Sequence, residues 1–156
     1  MKFTALFAAT LLLTFLFFGC DSKKNTPAPG PTTGMTSKVD GNDWKAAVPV
    51  AKLDSGNLTL MGATLSGQAI GLHTSQLSIT QPGTYPAFAV YSEVIPGNSD
   101  GPTWGTHATT VTITKLDLTG NKISGTFSFI AEAEPTSGAT GTKNITNGVF
   151  TDIDLQ

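Results

Sequence analysis

The clearest pattern of apolar and polar positions runs from Ala108 to Ala133. Val111 and Ile113 alternate with Thr110, Thr112 and Thr114, the period of a half-buried strand rich in β-branched side chains. Leu116 and Leu118 take the opposite parity, so one extra residue near Lys115 is needed to return them to the same face, which predicts a β-bulge there. Thr119-Gly120-Asn121-Lys122 has the composition of a turn. The return segment sets Ile123, Gly125, Phe127, Phe129, Ala131 and Ala133 at every second position, mostly with Ser, Thr or Glu between. The two segments form a hairpin.

Weaker versions of the same pattern fill the rest of residues 37–156. Asp40-Gly41-Asn42-Asp43 separates Lys38-Val39 from Trp44-Lys45-Ala46, a turn signal of the kind that opens hairpins. Leu58 to Met61 follows Asp54-Ser55-Gly56-Asn57, and Ala69 to Leu72 follows Ser66-Gly67. Gln81-Pro82-Gly83-Thr84 divides Leu77-Ser78-Ile79 from Phe88 to Tyr91, and a last strand runs from Ile145 to Leu155 with a bulge or kink at Asn147-Gly148. No stretch carries a 3.6-residue apolar period; Ala46-Ala47-Val48 has room for one helical turn at most. About eight to ten short strands at this spacing predict a single all-β domain over 37–156, an antiparallel β-sandwich or, alternatively, a small β-barrel.

The N-terminus has a different character. Met1-Lys2 is a short positive region, and Phe3 to Phe18 is apolar apart from Thr4, Thr10 and Thr14. This stretch is shorter than the ~20 residues of a membrane-spanning helix and fits a cleaved signal peptide over 1–19. It ends Leu16-Phe17-Phe18-Gly19-Cys20, which resembles the bacterial lipobox, in which a small residue precedes the Cys that receives a diacylglyceryl group; Phe17-Phe18 departs from the commonest form. Cys20 is thus expected to be the lipid anchor and the first residue of the mature chain. Residues 20–36, rich in Pro and Gly with almost nothing apolar, are expected to be a disordered tether.

Composition narrows the function. Only 13% of residues are charged, and 25 Thr and 17 Gly make a surface that is polar mainly through neutral groups. All 9 basic residues are Lys. From Cys20 onward 8 Lys face 11 acidic residues, a net charge of -3. With no basic stripe to follow a phosphate backbone, nucleic acid is excluded as a partner. One Cys permits neither an internal disulfide nor a multi-thiolate zinc site, and its use as an anchor leaves no thiol for catalysis.

Val39-Asp40-Gly41 with Trp44, Ile113-Thr-Lys115-Leu-Asp117, Ile123-Ser-Gly125-Thr-Phe127-Ser-Phe129 and Ile145-Thr-Asn147-Gly-Val-Phe150 together resemble a family of small lipoproteins from Bacteroidota, catalogued as a domain of unknown function. The resemblance spans most of 37–155. It implies an all-β lipoprotein and carries over no activity, because its matching positions are core and turn types.

Candidate chemistry is sparse. His73 and His107 are far apart in sequence, and neither sits in a metal-binding or protease motif. Asp152 and Asp154 share a strand face, a pattern that is ordinarily solvated. Asn98-Ser99-Asp100-Gly101 lacks the other ligands of a calcium loop, and no nucleophile motif or phosphate loop occurs. No catalytic residue, metal or cofactor is therefore expected. One segment breaks the strand rhythm: Ile95 to His107, a long connection that sets Trp104 and His107 among Gly and Pro. Trp104 either folds back as a lid on the core or presents an indole on which a sugar ring stacks, with Asn98, Asp100 and Thr106 near its hydroxyls. The reading is a non-catalytic cell-envelope lipoprotein with a binding or structural β domain, its partner an envelope protein or a neutral glycan. Surface-exposed lipoproteins of gliding-type Bacteroidota resemble one another in carrying acidic residues after the Cys. Asp21-Ser22-Lys23-Lys24 departs from that pattern and favours an outer membrane location facing the periplasm. The alternative is an enzyme of envelope carbohydrate or peptide metabolism with its site in the 95–107 loop.

Overall fold

A computed structural model describes residues 32–75, 78–94 and 101–156. Nine strands follow one another: β1 (Gly34–Val39), β2 (Asn42–Lys45), β3 (Val48–Asp54), β4 (Asn57–Ala63), β5 (Gln68–His73), β6 (Gly83–Glu93), β7 (Thr103–Asp117), β8 (Lys122–Ala133) and β9 (Thr142–Asp154). No helix occurs among the described residues. The strands form one antiparallel sheet in the order β2-β1-β9-β8-β7-β6-β5-β4-β3. Of the two architectures open from the sequence, this is the barrel-like one: a single, strongly curled sheet.

The curl brings the two sheet edges together. Ala46 N donates to Met35 O at 2.9 Å and so extends the β1–β2 ladder, while Ala47 N donates to Ala63 O at 2.8 Å and starts the β3–β4 ladder. The chain thus passes from one edge to the other within two residues, where at most one helical turn was expected. At the opposite end Ala51 forms a parallel bridge with Leu155, and Gln156 N donates to Ala51 O at 3.0 Å. Inside the curl, a Cβ placed on Gly62 of β4 would lie 2.8 Å from Ala46 Cβ and 2.9 Å from Met35 Sδ. Glycine is what lets these strands approach so closely.

Local rules explain the elements. In β8, Ile123, Gly125, Phe127, Phe129 and Ala131 face inward and the residues between them outward, as the alternation predicts. The bulge expected near Lys115 is present: Ile113 pairs with Gly125 but Lys115 with Ser124, which places Leu116 opposite buried Ile123. Asn147, at φ 52°, forms the second expected bulge with Gly148; these two residues oppose the single Ser37 on β1. The β1–β2 and β3–β4 hairpins turn on Asp40-Gly41 and Ser55-Gly56, all four at positive φ, which matches the right-handed strand twist.

Three expectations need correction. The first strand among the described residues starts at Gly34, ahead of the 37 read from the sequence, and Met35 is fully buried; its Thr- and Gly-rich surroundings hide a strand that pairs with β9, the last one. Ser78 and Ile79 are not in a strand, and Leu77 lies outside the described residues. Ile79 instead plugs the core, 1% exposed, with its N–H donating to Gly56 O. Trp104 to His107 belong to β7 rather than to a loop, because Trp104 pairs with Tyr91 on one side and Ala133 on the other. Pairing on both sides overrides the local Gly and Pro signal.

Candidate functional site

On the outer face of the sheet, strand register assembles rows from residues distant in sequence. Met61 lies opposite Gly71, which lies opposite Val90; in the next row Thr59, His73 and Phe88 stand side by side. Each row points outward because its neighbours Leu60, Leu72 and Ala89 point into the core. Gly71 supplies no side chain to its row, and a Cβ built there meets nothing within 4 Å. The gap is a pit of about 240 Å³ floored by Gly71 and walled by Met61, Val90, Phe88 and His73, with Ala69 and Ser92 at its upper side.

Two rings, His73 and Phe88, line the pit, and His107 on the neighbouring strand β7 backs Phe88. His73 meets Phe88 edge-on at 5.8 Å and 76°, and His107 stacks on Phe88 at 5.5 Å and 19°. Thr59 Oγ1 and His73 Nδ1 share a hydrogen bond of 3.0 Å, which fixes the imidazole against β4. Met61 is 55% exposed and Phe88 39%, a sizeable apolar surface on a face otherwise dominated by neutral polar side chains. Among the described residues no three His, Cys, Asp or Glu converge as metal ligands. The pit offers shape, apolar contact and imidazole edges.

The structure separates the two residues predicted to share a binding loop. His107 is on the outer face, in the ring stack. Trp104 is 5% exposed and points inward, its Nε1 donating to Thr140 O at 3.1 Å and its ring 5.7 Å from that of Tyr91. The odd spacing of Trp104 and His107 along β7 puts the two on opposite faces, since side chains alternate along a strand. Residues 95–100, with Asn98 and Asp100, lie outside the described residues, as do Cys20, the expected signal peptide and most of the expected tether. Asp152 and Asp154 are each paired, with Lys115 at 2.8 Å and Lys122 at 2.6 Å.

Sequence reasoning missed Met61, Gly71, Phe88 and Val90. Two signals were there to read. Met61 follows Leu60 and breaks the alternation of β4 with an apolar outward residue, and Gly71 interrupts an apolar strand where a glycine marks a close approach or a vacancy.

A family model described as a domain of unknown function (DUF6252) matches residues 32–154. No curated protein and no solved structure matches the chain.

Proposed function

The chain belongs to this family of domains of unknown function, DUF6252, and from that premise we propose that it is a non-catalytic bacterial cell-envelope lipoprotein with a binding β domain. In this reading Cys20 carries the lipid, the Pro- and Gly-rich residues after it form the tether, and the curled sheet meets a partner. The Bacteroidota lipoprotein resemblance supports the same assignment. The observation that carries the binding reading is the apolar pit at Gly71, held open on an exposed sheet face where a side chain would fit without cost to the fold. Its lining favours an apolar group on an envelope protein over a neutral glycan, because Met61, Val90 and Phe88 dominate it and only Thr59, His73 and Ser92 offer polar groups to a sugar's many hydroxyls.

The location proposed is the outer membrane, facing the periplasm. Acylation requires the Cys20 sulfur, and the attached chains, at about 0.8 kcal/mol per buried methylene, make a lasting anchor. Cys20→Ser is expected to leave an unprocessed precursor and to abolish detergent-phase partition of the mature protein. Recovery of a normally processed, membrane-bound Cys20→Ser protein would end the lipoprotein reading. Removal of the domain by protease from intact cells would contradict the periplasmic orientation.

A further inference from the structure

We infer that the pit at Gly71 is a receptor for a single aromatic ring, presented as a Trp or Tyr side chain of a protein partner. The inference rests on the binding reading above and is independent of the lipid anchor. Size comes first: a cavity of roughly 150 Å³ accepts benzene, so about 240 Å³ accommodates one ring with room for a second fused to it. Chemistry comes next. The walls are a thioether, Met61, two rings, Phe88 and His73, and the aliphatic Val90. Sulfur beside a ring and rings meeting edge to face are both favourable contacts specific to aromatic guests; an aliphatic guest gains only from burial.

The Phe88 ring already illustrates the preference, taking His73 edge-on and His107 face-on. His73 bonds Thr59 through Nδ1, which leaves Nε2 for the guest: it accepts from an indole N–H or a phenol hydroxyl when Nδ1–H donates to Thr59 Oγ1, and donates to a phenol oxygen in the other tautomer. Polarity argues the source. Leu65 is 97% exposed, Val48 69% and Val94 47%, all at the β4–β5 turn end of the sheet, beyond the Ala69 and Ser92 side of the pit. Apolar surface that continues past the space for one ring suits a side chain carried on a larger apolar partner rather than a free small molecule.

The chain carries its own reporter. Of the three Met residues, Met61 lines the pit and Met35 is fully buried in the core, while Met1 lies outside the described residues. The experiment is a titration of the full chain, ¹³C-labelled at the Met methyls, with N-acetyltryptophanamide, indole, N-acetylleucinamide and maltose. The Trp amide is expected to move the Met61 methyl upfield by ring current, saturating with Kd on the order of 1 mM, while Met35 stays in place. Indole is expected to do the same no more tightly, and the Leu amide several-fold more weakly. Gly71→Leu is expected to abolish the response with the Met35 signal unchanged, which certifies the fold. A Met61 signal indifferent to the Trp amide, an equal response to the Leu amide, or a Gly71→Leu protein that still responds overturns the ring site. Response to indole alone reassigns the pit to a free aromatic molecule, and response to maltose alone to a sugar; either refutes the side-chain receptor. A silent Met61 in a protein that still needs Cys20 for anchoring sinks this inference and leaves the lipoprotein reading standing.

Discussion

Lys143 holds its ammonium over the Trp104 ring, 4.8 Å from the centroid. The same ammonium lies 5.6 Å from the Tyr91 centroid and is paired with Glu93 at 3.4 Å and Asp40 at 3.5 Å. Lys143 on β9 thereby ties the β1–β2 turn to β6 and β7. The side chain is 22% exposed, so the ion pairs are partly screened while the ring contacts are largely desolvated. Lys143→Met, which keeps the aliphatic stem, is expected to cost about 1–2 kcal/mol. The check is the denaturant midpoint at unchanged slope.

Trp44 is 3% exposed and Trp104 5%, so both indoles report the core. Emission of the folded domain is expected to be blue-shifted and poorly quenched by acrylamide. Trp44→Phe should leave that signature in Trp104 alone, and Trp104→Ala should cost about 3–5 kcal/mol. A red-shifted, quencher-accessible Trp104 would contradict its inward placement.

Phe127 points into the core and Ser128 away from it on the same strand. Phe127→Ala is expected to remove about 3–5 kcal/mol, enough to broaden or abolish cooperative unfolding, and Ser128→Ala to change stability by less than about 0.5 kcal/mol. Equal losses in thermal melts would mean that both faces are buried.

Much of this fold is legible in the chain, for identifiable reasons. Alternation in Ile123–Ala133, the parity switch at Lys115 and the Asn147-Gly148 kink are local signals, and the strands obey them. Asp40-Gly41 and Ser55-Gly56 announce their hairpins because few residue pairs tolerate two successive positive φ angles. Met35 and Trp104 read as linker and loop because their strand character comes from partners far along the chain: β9 for Met35, β6 and β8 for Trp104. The pit was the least legible feature. His73, Phe88 and His107 become neighbours only through the registers of β5, β6 and β7, and the vacancy at Gly71 is the absence of an atom.

Two strand glycines should answer oppositely to substitution. Gly71→Ala adds a methyl to open space and is expected to be neutral or to stabilise by up to about 1 kcal/mol. A Cβ on Gly125 would run into the backbone carbonyl oxygen of Thr112 and sit 2.5 Å from the far ring carbon of Phe150, so Gly125→Ala must shift the β7 backbone as well as that buried ring and is expected to cost about 1–3 kcal/mol or more. Paired thermal melts decide it.

Acid should weaken the sheet at a named place. The Lys115 ammonium donates to Asp152 Oδ1 at 2.8 Å and holds that carboxyl below its ordinary range. A carboxyl whose folded pKa is lowered adds stability above its unfolded value of about 4, and that contribution is lost as pH falls through the folded value. Asp152 sits at φ 46°, a conformation that Asn accepts readily, so Asp152→Asn removes the charge and keeps the backbone. Denaturant midpoints at about pH 7 and about pH 3 should differ less in Asp152→Asn than in the parent; an equal difference would free Asp152 from any part in acid stability.

The outer face around Gly71 is the surface proposed to meet a partner. The most direct measurement is photocrosslinking in intact cells from a benzophenone side chain at position 63, exposed opposite Ala69 at the rim of the pit, and at position 128, on β8 and away from the pit, in the full chain, with the captured peptides mapped by mass spectrometry. The predicted result is one defined envelope-protein segment carrying Trp or Tyr, captured from position 63, absent from position 128 and lost in Gly71→Leu. Capture equal from both positions, or unaffected by filling the pit, would contradict it.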